Sequence, residues 1–309
     1  MITIITPAYN AAKFIGLTIE SVVAQSDANW QLIVVDDGSA DATGDIVRGW
    51  SERDARIRFA AQTNAGASAA RNYGMRLLDE ASEYVLFLDA DDLLEPDALT
   101  ILGAALSASP DSSAAYGLAR KISEAGDLID PGSLEAHQRQ RFGVEGDHVI
   151  AWPADRPTTF EVEAVTEVII TPGTVLIRRD ALQRAGEWVE DIRLWEDWDL
   201  WLRLTRIAPM LFVDAPVLGY RWHHTNASGN DEKLDYWSRV VRARFLASLA
   251  NEPDLLRIAM IGAAFHHQRL IDGRIGWARA SMKRLDFANA LRQLRHAYLL
   301  KRMGAYPSV

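Results

Sequence analysis

The chain has no cysteine, no apolar run near the length of a membrane-spanning helix, and a glycine or proline at only about one in ten of its 309 positions. The first absence excludes a disulfide scaffold and any thiolate metal site. The second excludes a transmembrane helix, which needs ~20 consecutive apolar residues. With 20 Gly and 11 Pro, the composition is neither collagen-like nor that of a broadly disordered chain. Positive charge is also short. Lys and Arg number 33 against 42 Asp and Glu, a net charge of −9, which argues against a nucleic-acid binder held by phosphate contacts. The opening Met1-Ile2-Thr3-Ile4-Ile5 lacks a basic region followed by a long apolar stretch, so the sequence reads as one without a signal peptide and as cytoplasmic. What is present is a 49% hydrophobic composition and ten tryptophans, enough for one large or two modest domains.

The first 120 residues alternate short β-branched runs with longer helical stretches. Ile2–Thr6, Gln31–Asp36, Ile57–Ala60 and Tyr84–Asp89 read as strands. Ala11–Gln25, Ala42–Arg53, Ala67–Glu80 and Asp97–Ala108 read as helices. That alternation predicts an α/β fold, a mainly parallel sheet flanked by helices, with ligands beyond the carboxyl ends of the strands. Further on, Val144–Trp152 reads as a strand and 153–157 as a loop. Thr174–Arg178 reads as a short buried strand, with Asp180 as the N-cap of the helix after it. Trp198–Arg206 has helical spacing, and Met210–Asp214 and Val217–Tyr220 are strand-like. From Asp231 the chain turns helical, with Leu285 and Asp286 as the turn of a hairpin. The expected division is a catalytic part, 1–225, and a C-terminal helical part, 226–309.

Three strands end in polar clusters: Thr6-Pro7-Ala8-Tyr9-Asn10, Asp36-Asp37-Gly38-Ser39 and Asp89-Ala90-Asp91-Asp92. Five converging carboxylates repel one another unless a cation or a hydrogen-bonding ligand joins them. An Asp-x-Asp pair suits a hard divalent cation, Mg²⁺ or Mn²⁺, bridging to phosphate oxygens. Alternatively, Asp37-Gly38-Ser39 is a plain turn and Asp91-Asp92 caps the helix before Pro96. Asn64 to Gly74 follows the third strand with small residues that let a ligand approach the backbone, and Arg71 in it could pair with a phosphate. The segment matches neither the dinucleotide nor the P-loop fingerprint. A third acidic cluster, Trp195-Glu196-Asp197-Trp198-Asp199, sits among aromatics, whose desolvation raises carboxyl pKa values and so suits a general base.

Taken in order, these clusters resemble the inverting GT-A-type members of glycosyltransferase family 2. The matching residues also include Val34-Val35 before Asp36, Phe87-Leu88 before Asp89, Thr174 to Arg178, and Leu200-Trp201-Leu202-Arg203-Leu204 after Glu196-Asp197. The resemblance implies a Rossmann-like GT-A sheet and a divalent metal (Mn²⁺ or Mg²⁺) as cofactor. It also implies a nucleotide-sugar donor, UDP being the commonest base, and a glycan or lipid-linked acceptor. It places Pro7 and Tyr9 at the nucleobase, with Asp36 or Asp37 contacting the base and Asp37 preferred. Arg71 falls near the diphosphate, Asp91 on the metal, and Asp89 beside it on ribose, sugar or metal. Asp197 becomes the catalytic base, with Glu196 close to the acceptor. Tyr220-Arg221-Trp222-His223 matches a segment that carries a basic residue near the diphosphate, so His223 joins the metal and diphosphate candidates. Among Trp152, Trp188, Trp195 and Trp222, Trp195 is the preferred platform for a sugar ring.

Residues 274–303 carry eight Arg and Lys against the single acid Asp286, a net of +7 that leaves −16 on the rest of the chain. Trp277, Leu285, Phe287, Leu291, Leu294, Tyr298 and Leu299 are expected to form the packing face of this hairpin. It then either caps the catalytic part or touches an anionic membrane at its inner face. Two other functions compete. A sugar-1-phosphate nucleotidyltransferase needs a Gly-rich basic loop after the first strand, where this chain has Thr6-Pro7-Ala8-Tyr9-Asn10. A degenerate carbohydrate-binding protein would be free to lose Asp91 or Asp197, and both are present.

Overall fold

The computed structural model describes residues 1–129, 131–165, 167–224, 226, 229 and 231–303. The chain begins as strand–helix alternation: β1 Ile2–Ala8, α1 Ile15–Val23, β2 Trp30–Asp36, α2 Thr43–Ser51, β3 Ile57–Ala61, α3 Ala67–Arg76, β4 Tyr84–Phe87, β5 Leu93–Leu94 and α4 Ala98–Ala108. The middle adds β6 Ala114–Ile122, α5 Ser133–Gln138, β7 Phe142–Glu145, β8 His148–Ala151, α6 Phe160–Glu163, β9 Val175–Arg178 and α7 Arg179–Ala185. It closes with α8 Glu196–Ile207, β10 Met210–Arg221, α9 Asp231–Ser248, α10 Pro253–Lys283 and α11 Phe287–Met303.

Eight strands form one sheet in the order β3-β2-β1-β4-β9-β6-β10-β5. The first four of these run parallel, as do β6 and β10, while β9 is antiparallel to both its neighbours. Every residue of β1 and β2 is buried, the pattern of central parallel strands covered by helices on both faces. The packing of α3 on this layer depends on Gly74. A Cβ there would stand 2.4 Å from Ile5 Cγ2, so only glycine lets the helix approach β1 this closely.

Several sequence expectations shift. Val144–Trp152 is not one strand but the hairpin β7–β8, reversing at Gly146, whose φ is +61°. Met210–Asp214 and Val217–Tyr220 are one continuous strand with a register shift around Pro216, a residue that cannot donate to the ladder. The helix α7 starts at Arg179, so Asp180 lies in its first turn rather than at its cap. Asp91 and Asp92 cap nothing: they precede β5, and Asp92 Oδ1 instead accepts the Arg221 backbone N–H at 2.9 Å.

The C-terminal hairpin holds its expected turn, with Leu285 at φ +61° and Asp286 Oδ1 accepting the Asn289 N–H. Its packing face is not the expected one. Ala278, Ala290, Ala297 and Leu300 are buried, while Trp277, Leu285, Phe287, Leu291, Leu294, Tyr298 and Leu299 are all exposed. Small side chains let α10 and α11 approach closely, which leaves the large ones outside. Arg274 is buried too, bridging Asp235 of α9 at 3.2 Å, and His296 reaches the same carboxylate at 2.6 Å. The helical part thus anchors on α9, whose Val241, Phe245 and Leu246 join the core around Trp198 and Trp201.

Candidate active site

A cavity of about 800 Å³ opens at the carboxyl ends of β1, β2 and β4, where the parallel half of the sheet predicts a ligand. Pro7, Tyr9, Asp37, Arg71, Asp89, Asp91, Trp195, Glu196, Asp197 and His223, all singled out in the sequence, line it together. Asp36 does not. Its side chain turns back to accept the Ser39 N–H at 3.0 Å and stabilises the bend after β2. Asp37 is buried, and protein donors engage both its oxygens. Oδ1 accepts from Gln62 Nε2 and the Ala65 N–H, and Oδ2 from the Gly66 N–H, each at 2.8 Å. Asp37 thereby fixes the loop that starts α3. Tyr9 stands at the rim, 55% exposed, and presents a free aromatic face.

Arg71 comes up from α3 into the floor of the cavity. Its Nη2 donates to Asp89 Oδ1 at 2.8 Å and its Nη1 to Glu196 Oε1 at 2.9 Å, while its guanidinium lies 4.4 Å from the Trp188 ring centroid. One buried cation thus ties the end of β4 to the start of α8. Burial alone would lower its pKa, but the two carboxylates raise it above the ordinary arginine value, so it stays charged. Trp188, considered as a sugar platform, is 2% exposed and forms the cushion under Arg71. Trp152 packs on Gly143 and Trp222 carries Lys121 on its face, both away from the cavity. Of the four tryptophans considered, Trp195 alone reaches the lining.

Asp91 and His223 meet directly, with Oδ2 and Nε2 2.9 Å apart, and Phe14 stacks on the imidazole at 4.9 Å. Burial and the neighbouring Asp89 charge push the Asp91 pKa up, partly offset by His223. Asp92, behind it, is pushed up further by complete burial. Among the described residues, no group of three or more His, Asp or Glu side chains is disposed to hold a metal alone. Two donors do fit one. Adjacent ligands of an octahedral cation with ~2.1 Å bonds sit about 3.0 Å apart, close to the Asp91–His223 separation. Substrate oxygens and water would complete such a shell, whereas Asp89 is already drawn to Arg71.

The chain enters α8 through Trp195, whose φ of +68° is an outlier for a bulky side chain. Its ring packs edge-on against Trp198 and His266 at 6.0 and 6.2 Å, which holds the turn. This entry leaves Trp198, Trp201 and Leu202 buried in the core and brings Glu196 and Asp197 to the cavity. The acids stand in the first helical turn, where the helix dipole favours them. Burial, then the Glu196 charge, raises the Asp197 carboxyl to about 8, against the pull of Arg71. Behind it, burial lifts Glu163 to about 8 as well, although Arg141 opposes the shift.

Sequence reasoning missed several lining residues. Glu167 and Leu234 reach the cavity from stretches with no readable motif. Arg193 comes from the loop before α8. Arg221 serves from below, its Nε donating to the Asp91 carbonyl at 2.6 Å. It was legible only as the neighbour of His223.

Comparison with known proteins places this geometry. A Bacillus subtilis protein named putative teichuronic acid biosynthesis glycosyltransferase TuaG is 42% identical over 101 residues, 32% of this chain and 39% of TuaG. The chain spans only 14 to 39% of the length of the first curated relatives it matches. Residues 1–349 of S. aureus TarS, solved with UDP-GlcNAc, share the fold at TM-score 0.62 and 17% identity, covering 99% of this chain and 93% of that one. The mannosyltransferase PcManGT from Pyrobaculum calidifontis, solved with GDP-Man and Mn²⁺, gives TM-score 0.63 at 18% identity over 96% of this chain and 86% of its own. At these identities the two structures establish the GT-A fold. Residues 3–186 match the family model "Glycosyl transferase family 2", and the chain belongs to that family.

Proposed function

We propose that this chain is an inverting, metal-dependent glycosyltransferase. It moves a sugar from a nucleotide diphosphate sugar, a UDP-sugar in our reading, to a hydroxyl of a glycan or lipid-linked acceptor. The observation that carries this reading is the cavity itself. It sets the half-buried carboxyl of Asp197 across from the Asp91–His223 pair, with Arg71 between the two halves. Residues 1–225 serve as the catalytic part and 226–309 as the helical part. TuaG's name supports a role in cell-surface polysaccharide synthesis.

Pro7 and Tyr9 receive the nucleobase at the rim, beside the loop that Asp37 fixes. Asp197 accepts the proton of the acceptor hydroxyl as that oxygen attacks the anomeric carbon from the face opposite the diphosphate. The bond from the anomeric carbon to the phosphate oxygen breaks, and its electron pair leaves with the nucleoside diphosphate. One displacement inverts the anomeric centre, and no covalent enzyme intermediate forms. Glu196 stands beside the acceptor, and Trp195 offers it a ring face. Asp91 and His223 would hold the divalent metal, which when bound neutralises charge on the departing diphosphate.

We read the exposed face of α11 as contact with an anionic membrane surface at the inner leaflet, where a lipid-linked acceptor lies. Phe287, Leu291, Leu294 and Tyr298 recur at i, i+4, i+7 and i+11, so they form one stripe. Lys301 flanks it on one side and Arg295 and Arg302 on the other. That charge favours anionic lipid over a second copy of the same basic helix.

A thermal-shift panel of UDP, GDP, dTDP and CDP, with and without Mn²⁺, tests the donor reading. Stabilisation by one nucleotide, enlarged by Mn²⁺ and lost in Asp91→Asn, is the expected result. No shift with any nucleotide would refute it.

A further inference from the structure

Among the described residues, the six carboxylates lining the cavity, Asp37, Asp89, Asp91, Glu167, Glu196 and Asp197, face three basic side chains there: Arg71, His223 and Arg193. Arg71 has both terminal nitrogens on carboxylates, and His223 has Nε2 on Asp91. Among the described residues, no hydrogen bond, ion pair or ring contact engages the exposed Arg193. An arginine projecting into an acidic cavity would ordinarily collapse onto the nearest carboxylate. This one instead reaches across the opening, so that a Cβ built on Gly66 would lie 3.2 Å from its Nη1. Gly66 is the residue whose N–H Asp37 holds, so the guanidinium hangs over the donor side of the cavity. Its φ of +100° requires glycine, and the missing side chain leaves room for the arginine.

From this charge balance we infer that Arg193 is a donor-binding residue that pairs with the diphosphate. The assignment rests on the nucleotide-sugar reading above. A nucleoside diphosphate brings at least two negative charges into a site already crowded with carboxylates. The charge of Arg71 is already shared between Asp89 and Glu196 and its one unpaired donor, Nε, is buried, whereas Arg193 can pair with phosphate without giving up a hydrogen bond or ion pair. Its planar fork presents two parallel N–H donors to phosphate oxygens. Because it comes from the loop before α8, the same pairing would draw that loop over the bound donor.

Isothermal titration with Mn²⁺ present tests this on the wild-type chain, Arg193→Gln and Arg193→Lys. UDP and GDP are the probes, each beside its own nucleoside, uridine or guanosine. The expected result is that Arg193→Gln weakens the diphosphate about tenfold or more, as for a lost charge-assisted pair, and leaves nucleoside affinity unchanged. Arg193→Lys should recover part of the loss. Arg193 makes no hydrogen bond, ion pair or ring contact among the described residues, so both variants should melt with the wild type. Unchanged diphosphate affinity in Arg193→Gln would overturn the inference, and so would an equal loss for nucleoside and diphosphate. If the wild type binds neither UDP nor GDP, the donor reading falls and takes this assignment with it.

Discussion

With Asp197 as the proposed base, its carboxyl, raised to about 8 by burial and by the Glu196 charge, should make the rate of transfer a titration of one group. A base acts only when deprotonated, and at pH 7 a group of that pKa is ionised in about a tenth of molecules, at pH 6 in about a hundredth. The value of kcat/KM should therefore rise about tenfold per pH unit from 6 to 7.5 and level off above 8.5, since it reports the groups of the free enzyme. Glu196→Gln sharpens the test. It removes a repelling charge and frees Arg71 from one of its two carboxylates, and both changes favour the Asp197 anion. The acid limb should move to lower pH by roughly half a unit to one unit, even if the plateau falls because Glu196 also meets the acceptor. The assay is initial-rate release of nucleoside diphosphate across pH 5.5–9.5 with donor and acceptor varied. Stability should follow the same group in the opposite sense. A carboxyl whose folded pKa is raised stabilises the fold fully below its unfolded pKa, and the contribution is lost as pH rises through about 8. A flat profile from pH 6 to 9, or a limb that moves upward in Glu196→Gln, would refute Asp197 as the base.

Asp197→Asn should cost about 10²–10⁴ in kcat while nucleotide affinity, read by titration, stays near wild type; near-normal turnover would remove it from the mechanism. Gly74→Ala sets helix propensity, a gain of about 1 kcal/mol, against overpacking, a cost of about 1–3 kcal/mol. The 2.4 Å approach to Ile5 is far inside contact distance, so the second effect should win and the urea midpoint should fall. Leu291→Asp, at a position 70% exposed, should leave the melt unchanged but abolish sedimentation with phosphatidylglycerol vesicles. Equal sedimentation with phosphatidylcholine, or none in the wild type, would remove the membrane reading.

The parallel half of the fold was legible because its signals are local. Ile2–Ala8 and Trp30–Asp36 are short, mostly apolar, β-branched runs leading into polar turns, and such runs are central strands. The candidate site was legible for the same reason, since strand-end carboxylates announce themselves in sequence. What stayed hidden depends on distant partners. That Asp36 turns inward while Asp37 lines the cavity is decided by the donors of Gln62, Ala65 and Gly66. That both terminal nitrogens of Arg71 are engaged depends on Glu196, 125 positions away. The hairpin's packing face was misread because apolar spacing marks an amphipathic stripe without saying which of two stripes meets protein. The alanines did, and the large side chains were left outside.

The left-handed backbone at Trp195 has a bearing on redesign. A residue in that conformation costs about 1–2 kcal/mol, which the packing of its ring on Trp198 and His266 must offset. Position 195 therefore works as a hinge pin. A library aimed at new acceptors can vary the exposed Asp191 and the cavity-lining Leu194, keeping Ile192 in the core and Arg193 for the donor, without disturbing how α8 begins. Replacing Trp195 by glycine would relax the backbone, release the ring contacts, and leave Glu196 and Asp197 on a helix end free to fray. Acceptor scope is thus best altered upstream of that tryptophan.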